Sequence, residues 1–461
     1  MPIAKRFIDT NKWIKIHMSN KNLLHRSDPV IKILDTPEFK SLFTPELIHL
    51  SNIFKKYNFE LRIAGGAVRD ILMNINPKDL DFATNATPTE MKDIFTNEDI
   101  RMINGNGEKH GTITSRINNK QNFEITTLRV DVVTNGRHAD VEFTTDWLLD
   151  ASRRDLTINS MFLDLNGKVY DYFYGYEDLT KRNVIFVGDP AERICEDFLR
   201  ILRYFRFYGR ISDVGDNFDV RTIQAIKDNV SGLEIISGER IWHEWSMILE
   251  GKFCREITRK ILECGCGKYM GIPKNPNYDE FDKVCLNAEK NNVKLRPISY
   301  ATALLNNEDE VLDLTMRLKF TKYDRLLALS IVEYRENELD ENSLKFYQKL
   351  ILKSIYKVSD AKEYVCEFLR YKGAMDLLEK MKKFNTNFPV RGSELLPFVN
   401  DKRIMQHVIN ELKDVWVDND CEISLTEMKD VIPSIVEKVK NERKYMDNSF
   451  KNNRKKKFRK Y

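Results

Sequence analysis

Long apolar runs are missing from these 461 residues. No stretch approaches the roughly 18 uninterrupted apolar residues that a membrane-spanning helix requires, so no membrane partner is expected. Cysteine is scarce: seven residues, odd in number, scattered, and unaccompanied by a secretory signal. That pattern speaks against a disulfide framework and for a reducing compartment. Cys264 and Cys266 form a C-x-C pair, but no second Cys/His pair stands at ligand spacing, which argues against a structural zinc. Also lacking are a fixed-period repeat, a paired His-Asp metal motif that would signal an attached phosphohydrolase, and any low-complexity segment before the C-terminal tail.

What remains is the composition of a soluble, multi-domain chain, 42% hydrophobic and 31% charged. The net charge of +4 is unevenly spread: Lys440 to Tyr461 holds ten Lys/Arg against two Asp/Glu, so the tail carries +8 and the rest of the chain −4. Such a run reads either as a solvated terminus or as a basic arm for RNA contact or nuclear import. Residues 1–30 read as a basic leader, in which residues 1–27 carry Lys5, Arg6, Lys12, Lys15, Lys21 and Arg26 against one acid, Asp9. The leader resembles a transit peptide, and Met18 offers a second start, so mitochondrial, cytoplasmic and nuclear destinations all enter the expectation.

From about Glu60 to Tyr174 the chain alternates in short β-branched and aromatic runs: FELRIA, TITSRI, FEITTLR, VEFTT, MFLDL and KVYDYF. After Gly175 the spacing turns helical, as in EDFLRILRYFRFYGR and ERIWHEWSMILEG. The expected class is α+β, with a sheet-bearing head over 31–176 and helical parts over 177–250, 251–388 and 389–461.

Chemistry concentrates in two places. GGAVRD at Gly65 to Asp70 follows a strand and precedes an apolar segment suited to a helix; glycines there let backbone N–H groups approach a phosphate, though such a pair also makes a plain tight turn. In KDLDFAT, Asp79 and Asp81 stand two apart in an extended segment, so both carboxylates leave one face and repel unless a cation lies between them. Magnesium, bound through carboxylates and substrate phosphates, suits that pair; a solvated strand edge is the bland alternative. Glu124 in FEITTLR is a candidate third acid from a neighbouring strand. In FLRILRYFRF every residue except Arg200, Arg203 and Arg206 is apolar or aromatic, so the helix is expected to be buried around a single cationic band. Buried arginines need anions, either a triphosphate or RNA phosphate, or internal partners such as Glu192 and Glu196.

In this order the motifs resemble the nucleotidyltransferase superfamily that includes DNA polymerase beta, and within it the class II CCA-adding enzymes of the eukaryotic and mitochondrial kind. GGAVRD and DLD resemble the catalytic motif, and RRDLTINSM at Arg153 to Met161 the ribose motif. DYFYGYEDL at Asp171 to Leu179 resembles the hinge, EDFLRILRYFRF at Glu196 to Phe207 the amino-acid template, and GERIWHE at Gly238 to Glu244 its buttress. RVDVVTNGRHADVEFTTDW resembles the flexible loop that family members use in switching from C to A, with NGRHAD at Asn135 to Asp140 as its tip, and GEKHGTIT at Gly107 to Thr114 resembles a segment beside the active site. The likeness is close at each motif from Leu61 to Leu249 and thin beyond.

The resemblance implies a five-stranded mixed sheet in the head, followed by helical neck, body and tail. It implies Asp79 and Asp81 as magnesium ligands with Glu124 as a further acid, and Gly66 and Arg69 at the triphosphate. It further implies Arg154, Asp155 and Asn159 near the ribose, Asp197 and Arg200 as the base-reading pair, and Arg203 and Arg206 as added nucleotide contacts. The implied reaction adds C, C and A from CTP and ATP to the 3′ end of tRNA, with release of pyrophosphate and no nucleic-acid template. Poly(A) synthesis and partial CC or A addition share the same head. A silent RNA-binding protein on this fold would be expected to have lost a carboxylate, whereas Asp79 and Asp81 are both present.

Overall fold

The computed structural model describes residues 24–103, 105–134, 139–340, 342–355, 357–399, 401 and 403–458. The first 23 residues of the leader, residues 135–138 of the expected loop tip and the last three residues of the basic tail lie outside them. Up to Tyr170 the described residues form ten strands with helices between them: β1 (Val30–Ile33), β2 (Leu61–Ala64), β3 (Asp81–Thr84), β4 (Arg101–Ile103), β5 (Thr112–Ile117), β6 (Gln121–Thr127), β7 (Arg129–Thr134), β8 (Ala139–Phe143), β9 (Phe162–Asp164) and β10 (Lys168–Tyr170). Beyond Tyr170 the described residues form helices and no further strand. None of those helices is long and apolar enough to cross a membrane. The helices that bear on the site are α1 (Pro45–Lys56), α2 (Gly66–Leu72), α3 (Pro88–Asn97), α4 (Trp147–Ser152), α5 (Pro190–Glu196), α6 (Arg200–Ile211) and α7 (Gly238–Leu249).

Eight strands form one sheet in the order β1-β10-β9-β2-β3-β6-β5-β4, while β7 and β8 make a separate hairpin. The sheet is mixed, because β3 and β6 run parallel and the other pairs antiparallel. This corrects the five-stranded expectation. The count of five comes from the family resemblance; the sheet here extends to two short edge strands, β1 and β4, of four and three residues. The central strand β2, LRIA, is buried along its whole length, whereas β5 alternates between half-buried and buried positions, the pattern of a strand with one covered face.

Local chemistry sets the helices that pack on this sheet. Thr44 and Thr87 cap α1 and α3 with Pro at the first turn, and Thr87 and Glu90 complete a reciprocal capping box. Phe54 of α1 meets Phe95 of α3 edge to face at 6.1 Å between ring centroids, and Phe82 meets Phe123 at 5.7 Å. On the other face, Trp147 at the start of α4 packs edge-on against Phe162 at 4.9 Å, joining Ala64, Ala83 and Leu128 in a core directly under the β2–α2 turn.

Two compact units divide the chain. Residues 1–275 with 313–320 form the first, which holds the sheet and α1 to α7; residues 276–312 with 321–461 form the second. Among its described residues the second unit is helical, and a buried acid organises part of it. Glu367 accepts from Arg296 N at 2.6 Å and Ser299 Oγ at 2.8 Å, supplying the missing cap of the helix Pro297–Ala303.

Candidate active site

Asp81 opens β3 and stands opposite Glu124 of β6 in parallel register. Asp79 lies two residues earlier in a bend outside the strand, so the two aspartates do not both belong to a regular strand as expected from the sequence; Asp79 still acts on Asp81 through space. Partial desolvation in the cleft, followed by repulsion from Glu124 and Asp79, holds the Asp81 carboxyl above its ordinary pKa, with Arg154 opposing. Among the described residues no three His, Cys, Asp or Glu side chains converge on one point as a cage. An open carboxylate edge of this kind fits a hard divalent cation that takes one or two protein carboxylates and completes its sphere with water and phosphate, and does not fit structural zinc.

Asp81 and Glu124 sit on one wall of a cleft of about 600 Å³ whose lining includes nine arginines and only four acids. A cavity so unbalanced in charge suits a polyanion. Its floor is the turn between β2 and α2. Gly65 has φ +66°, and a Cβ there would lie 2.9 Å from Arg154 Nη1, so only glycine keeps this turn under the guanidinium. Gly66 begins α2, and Arg69 on its next turn is buried, donating to Asp70 at 2.8 and 3.0 Å and to Asn159 Oδ1 at 2.5 Å. Asn159 Nδ2 is buried and has no hydrogen-bond partner among the described residues.

The cationic band of α6 forms the opposite wall. Ile201, Leu202, Tyr204, Phe205, Tyr208 and Ile211 are buried, while Arg200, Arg203 and Arg206 remain half-buried along one side. Each of the three has an internal acid. Arg203 pairs with Asp155 at 2.6 Å, and Arg206 Nε lies 2.7 Å from buried Glu244 of α7 without good hydrogen-bond geometry. Arg200 donates to Glu196 at 2.6 Å and to the Arg153 carbonyl at 3.0 Å. Burial alone would raise the Asp155 pKa, but Arg203 and Arg200 carry it down to about 2. Asp197 and Arg200 are close in sequence yet do not pair: Asp197 Oδ2 accepts from Arg240 at 2.8 Å, and Oδ1 from Leu199 N at 3.1 Å. Phe207 lies beneath three guanidinium groups, those of Arg69, Arg203 and Arg206, at 4.9, 5.4 and 4.3 Å from its centroid.

Thus Asp81, Glu124, Gly66, Arg69, Arg154, Asp155, Asn159, Asp197, Arg200, Arg203 and Arg206 all line one cleft, with Asp79 just outside the lining. Sequence reading gave no role to Arg129, Arg153, Arg210 and Arg240, which line it too. Arg210 was traceable, since it continues the Arg200, Arg203, Arg206 series one helical turn on; its partner Asp70, 140 positions away at 2.7 Å, was not. His110 of the GEKHGTIT segment is exposed, and its backbone carbonyl accepts from Arg129. Cys264 and Cys266 are both buried free thiols, and burial pushes Cys264 up to about 11.

A sheet whose carboxylate edge faces an arginine-lined wall defines a nucleotidyltransferase head. Residues 61–185 match the family described as the poly(A) polymerase head domain, and residues 217–270 that described as the probable RNA and SrmB- binding site of polymerase A. The human mitochondrial CCA tRNA nucleotidyltransferase 1 is 48% identical over 389 residues, covering 83% of this chain and 88% of its own. The chain belongs to the CCA tRNA nucleotidyltransferases. In fold it is similar to the Bacillus stearothermophilus CCA-adding enzyme in complex with CTP, with TM-score 0.65 and 21% identity over 90% of this chain and 100% of that one. It is likewise similar to the Thermotoga maritima CCA-adding enzyme complexed with tRNA, with TM-score 0.63 and 20% identity over 88% and 99%.

Proposed function

We propose that this chain adds C, C and A in turn to the 3′ end of tRNA from CTP and ATP, releasing pyrophosphate, with the cleft residues in the roles that follow. The observation carrying this assignment is the in-register Asp81 and Glu124 pair facing the arginines of α6 across one cavity. Asp79 and Asp81 would hold magnesium, with Glu124 as the acid nearest to it. Bound there, the ion would supply Lewis-acid help to the attacking 3′-hydroxyl and offset charge on the departing pyrophosphate.

The protein side of the chemistry is positioning and charge. Gly66 and Arg69 receive the triphosphate, and Arg154, Asp155 and Asn159 the ribose; the unpartnered Asn159 Nδ2 supplies a donor ready for a sugar or phosphate oxygen. Arg203 and Arg206, each already balanced by an acid, add contacts to the nucleotide without being buried as bare charges. Asp197 accepts and Arg200 donates, reading the Watson–Crick edge of the incoming base. Both have capacity left: among the described residues each Asp197 oxygen accepts from one donor, and Arg200 has N–H groups beyond those given to Glu196, Arg193 and Arg153.

Head, neck, body and tail, with the boundaries expected from sequence, are the functional parts of this reading, the neck carrying the template helix and the tail the tRNA contacts. The mitochondrial name of the human relative supports mitochondrial destination; Met18, as a start that would omit the leader, supports a second, cytoplasmic form, and the basic tail a nuclear one. The test is to incubate the full chain with tRNA lacking CCA, supply CTP and ATP singly and together, and sequence the ends. CCA with both, and no more than CC with CTP alone, is expected; arrest at CC with both nucleotides, or a long A run, would overturn full CCA addition.

A further inference from the structure

The geometry points to Asp150 as a positioning residue that holds Arg153 and Arg154 at the angle the nucleotide requires. Asp150 lies outside the cleft lining, on α4, and is 1% exposed. Its Oδ1 accepts from Arg153 Nε at 2.9 Å and from the backbone N of Arg129 at 3.2 Å; Arg153 Nη2 stands 2.7 Å away. Its Oδ2 accepts from Arg154 Nε at 3.2 Å and Nη2 at 3.0 Å. One buried carboxylate thereby joins three of the arginines that line the cleft.

The consequence is directional. With its Nε edge committed to Asp150, Arg154 turns Nη1 over the Gly65 turn, 3.4 Å from the Asn159 carbonyl. Asp150 itself is anchored from below. Asp146 caps α4 by accepting from Leu148 N at 2.8 Å, and Trp147 packs on Phe162. The same acid counters repulsion among like charges: burial, then Arg153, then Asp131, Asp150 and Arg154 set the pKa of Arg129 at about 10, with Arg153 and Arg154 lowering it and the two acids opposing. Without Asp150, three neighbouring cations would spread apart, and a nucleotide would have to assemble them on arrival.

This inference rests on the reading of Arg154 as a ribose contact, and a double-mutant cycle separates the two. Steady-state kinetics of the full chain on tRNA ending in CC, with ATP varied, would compare wild type, Asp150→Asn, Arg154→Ala and the double variant, each checked by thermal unfolding. Asp150→Asn is expected to raise KM for ATP about tenfold with a smaller change in kcat, and to cost no more than about threefold when added to Arg154→Ala. A tenfold loss in both backgrounds, or wild-type kinetics for Asp150→Asn, would overturn the proposal while leaving the ribose reading standing. Arg154→Ala with wild-type KM would overturn the ribose reading and the proposal with it. If Asp150→Asn does not fold, Asp150→Glu, which keeps the charge but displaces the carboxylate, enters the same cycle under the same criteria.

Discussion

Arg240 Nη2 lies 2.8 Å from Asp197 Oδ2, so the acid assigned to base reading, which sits between α5 and α6, is held from α7 as well as by Leu199 N. A carboxylate can only accept hydrogen bonds. Cytosine and adenine each offer an amino donor beside a ring-nitrogen acceptor; uracil and guanine offer a carbonyl beside a ring N–H. An accepting Asp197 with a donating Arg200 matches the first pair and opposes the second at both atoms.

Asp197→Asn introduces a donor where only an acceptor belongs. Discrimination against UTP and GTP should fall by roughly 1 to 3 kcal/mol, the worth of one bidentate base contact. Arg200→Ala should weaken CTP and ATP alike. Competition between the four nucleotides on tRNA lacking CCA checks both, and an Asp197→Asn enzyme that rejects UTP and GTP as wild type does would sink the assignment.

Gly65→Ala places a methyl 2.9 Å from Arg154 Nη1 at a backbone φ of +66°. The strain should cost about 1 to 3 kcal/mol, visible in urea unfolding. Because the atom displaced is on Arg154, KM for ATP should rise as well; a stability loss with unchanged KM would show that the turn serves the fold alone.

Asp155 is buried, and Arg203 and Arg200 outweigh its burial to hold its pKa at about 2, below the value near 3.9 of an unfolded chain. A depressed folded pKa contributes stability above the unfolded pKa, and that contribution drains away as pH falls from about 4 toward 2. Asp155→Asn should therefore be less stable than wild type at neutral pH by on the order of 2 kcal/mol, and the gap should narrow between pH 5 and pH 3. Chemical denaturation at those pH values measures it; a gap independent of pH would mean that packing, not charge, sets the loss.

How far the sequence could be read depends on whether the signal is local. The D-x-D step at Asp79 and Asp81 and the three arginines of FLRILRYFRF are local patterns, and they marked two walls of the cleft. Glu124 could only be guessed, because its standing opposite Asp81 depends on the parallel pairing of β3 with β6, which residue type does not encode. The sequence offers internal partners for the arginines in general, with Glu196 among them. Asp155 for Arg203 and Glu244 for Arg206 lie 48 and 38 positions away or come from another helix, beyond any spacing rule. Asp150 was nearer to hand: it precedes Arg153 and Arg154 by three and four residues, the spacing of helical ion pairs, but its burial shows only once Trp147 is seated on Phe162.

The most direct measurement is single-turnover transfer of labelled ATP to tRNA ending in CC by Asp81→Asn, set against its tRNA affinity and thermal stability. Loss of the carboxylate that opens β3 should slow transfer by roughly 10³-fold, the several kcal/mol that a metal-holding acid supplies, with tRNA Kd within about threefold of wild type. Stability should not fall at neutral pH. The raised folded pKa of Asp81 means that its favourable contribution exists below its unfolded pKa and is lost as pH rises through the folded one. Near-wild-type transfer by a folded Asp81→Asn enzyme would contradict the placing of catalysis at this edge of the sheet.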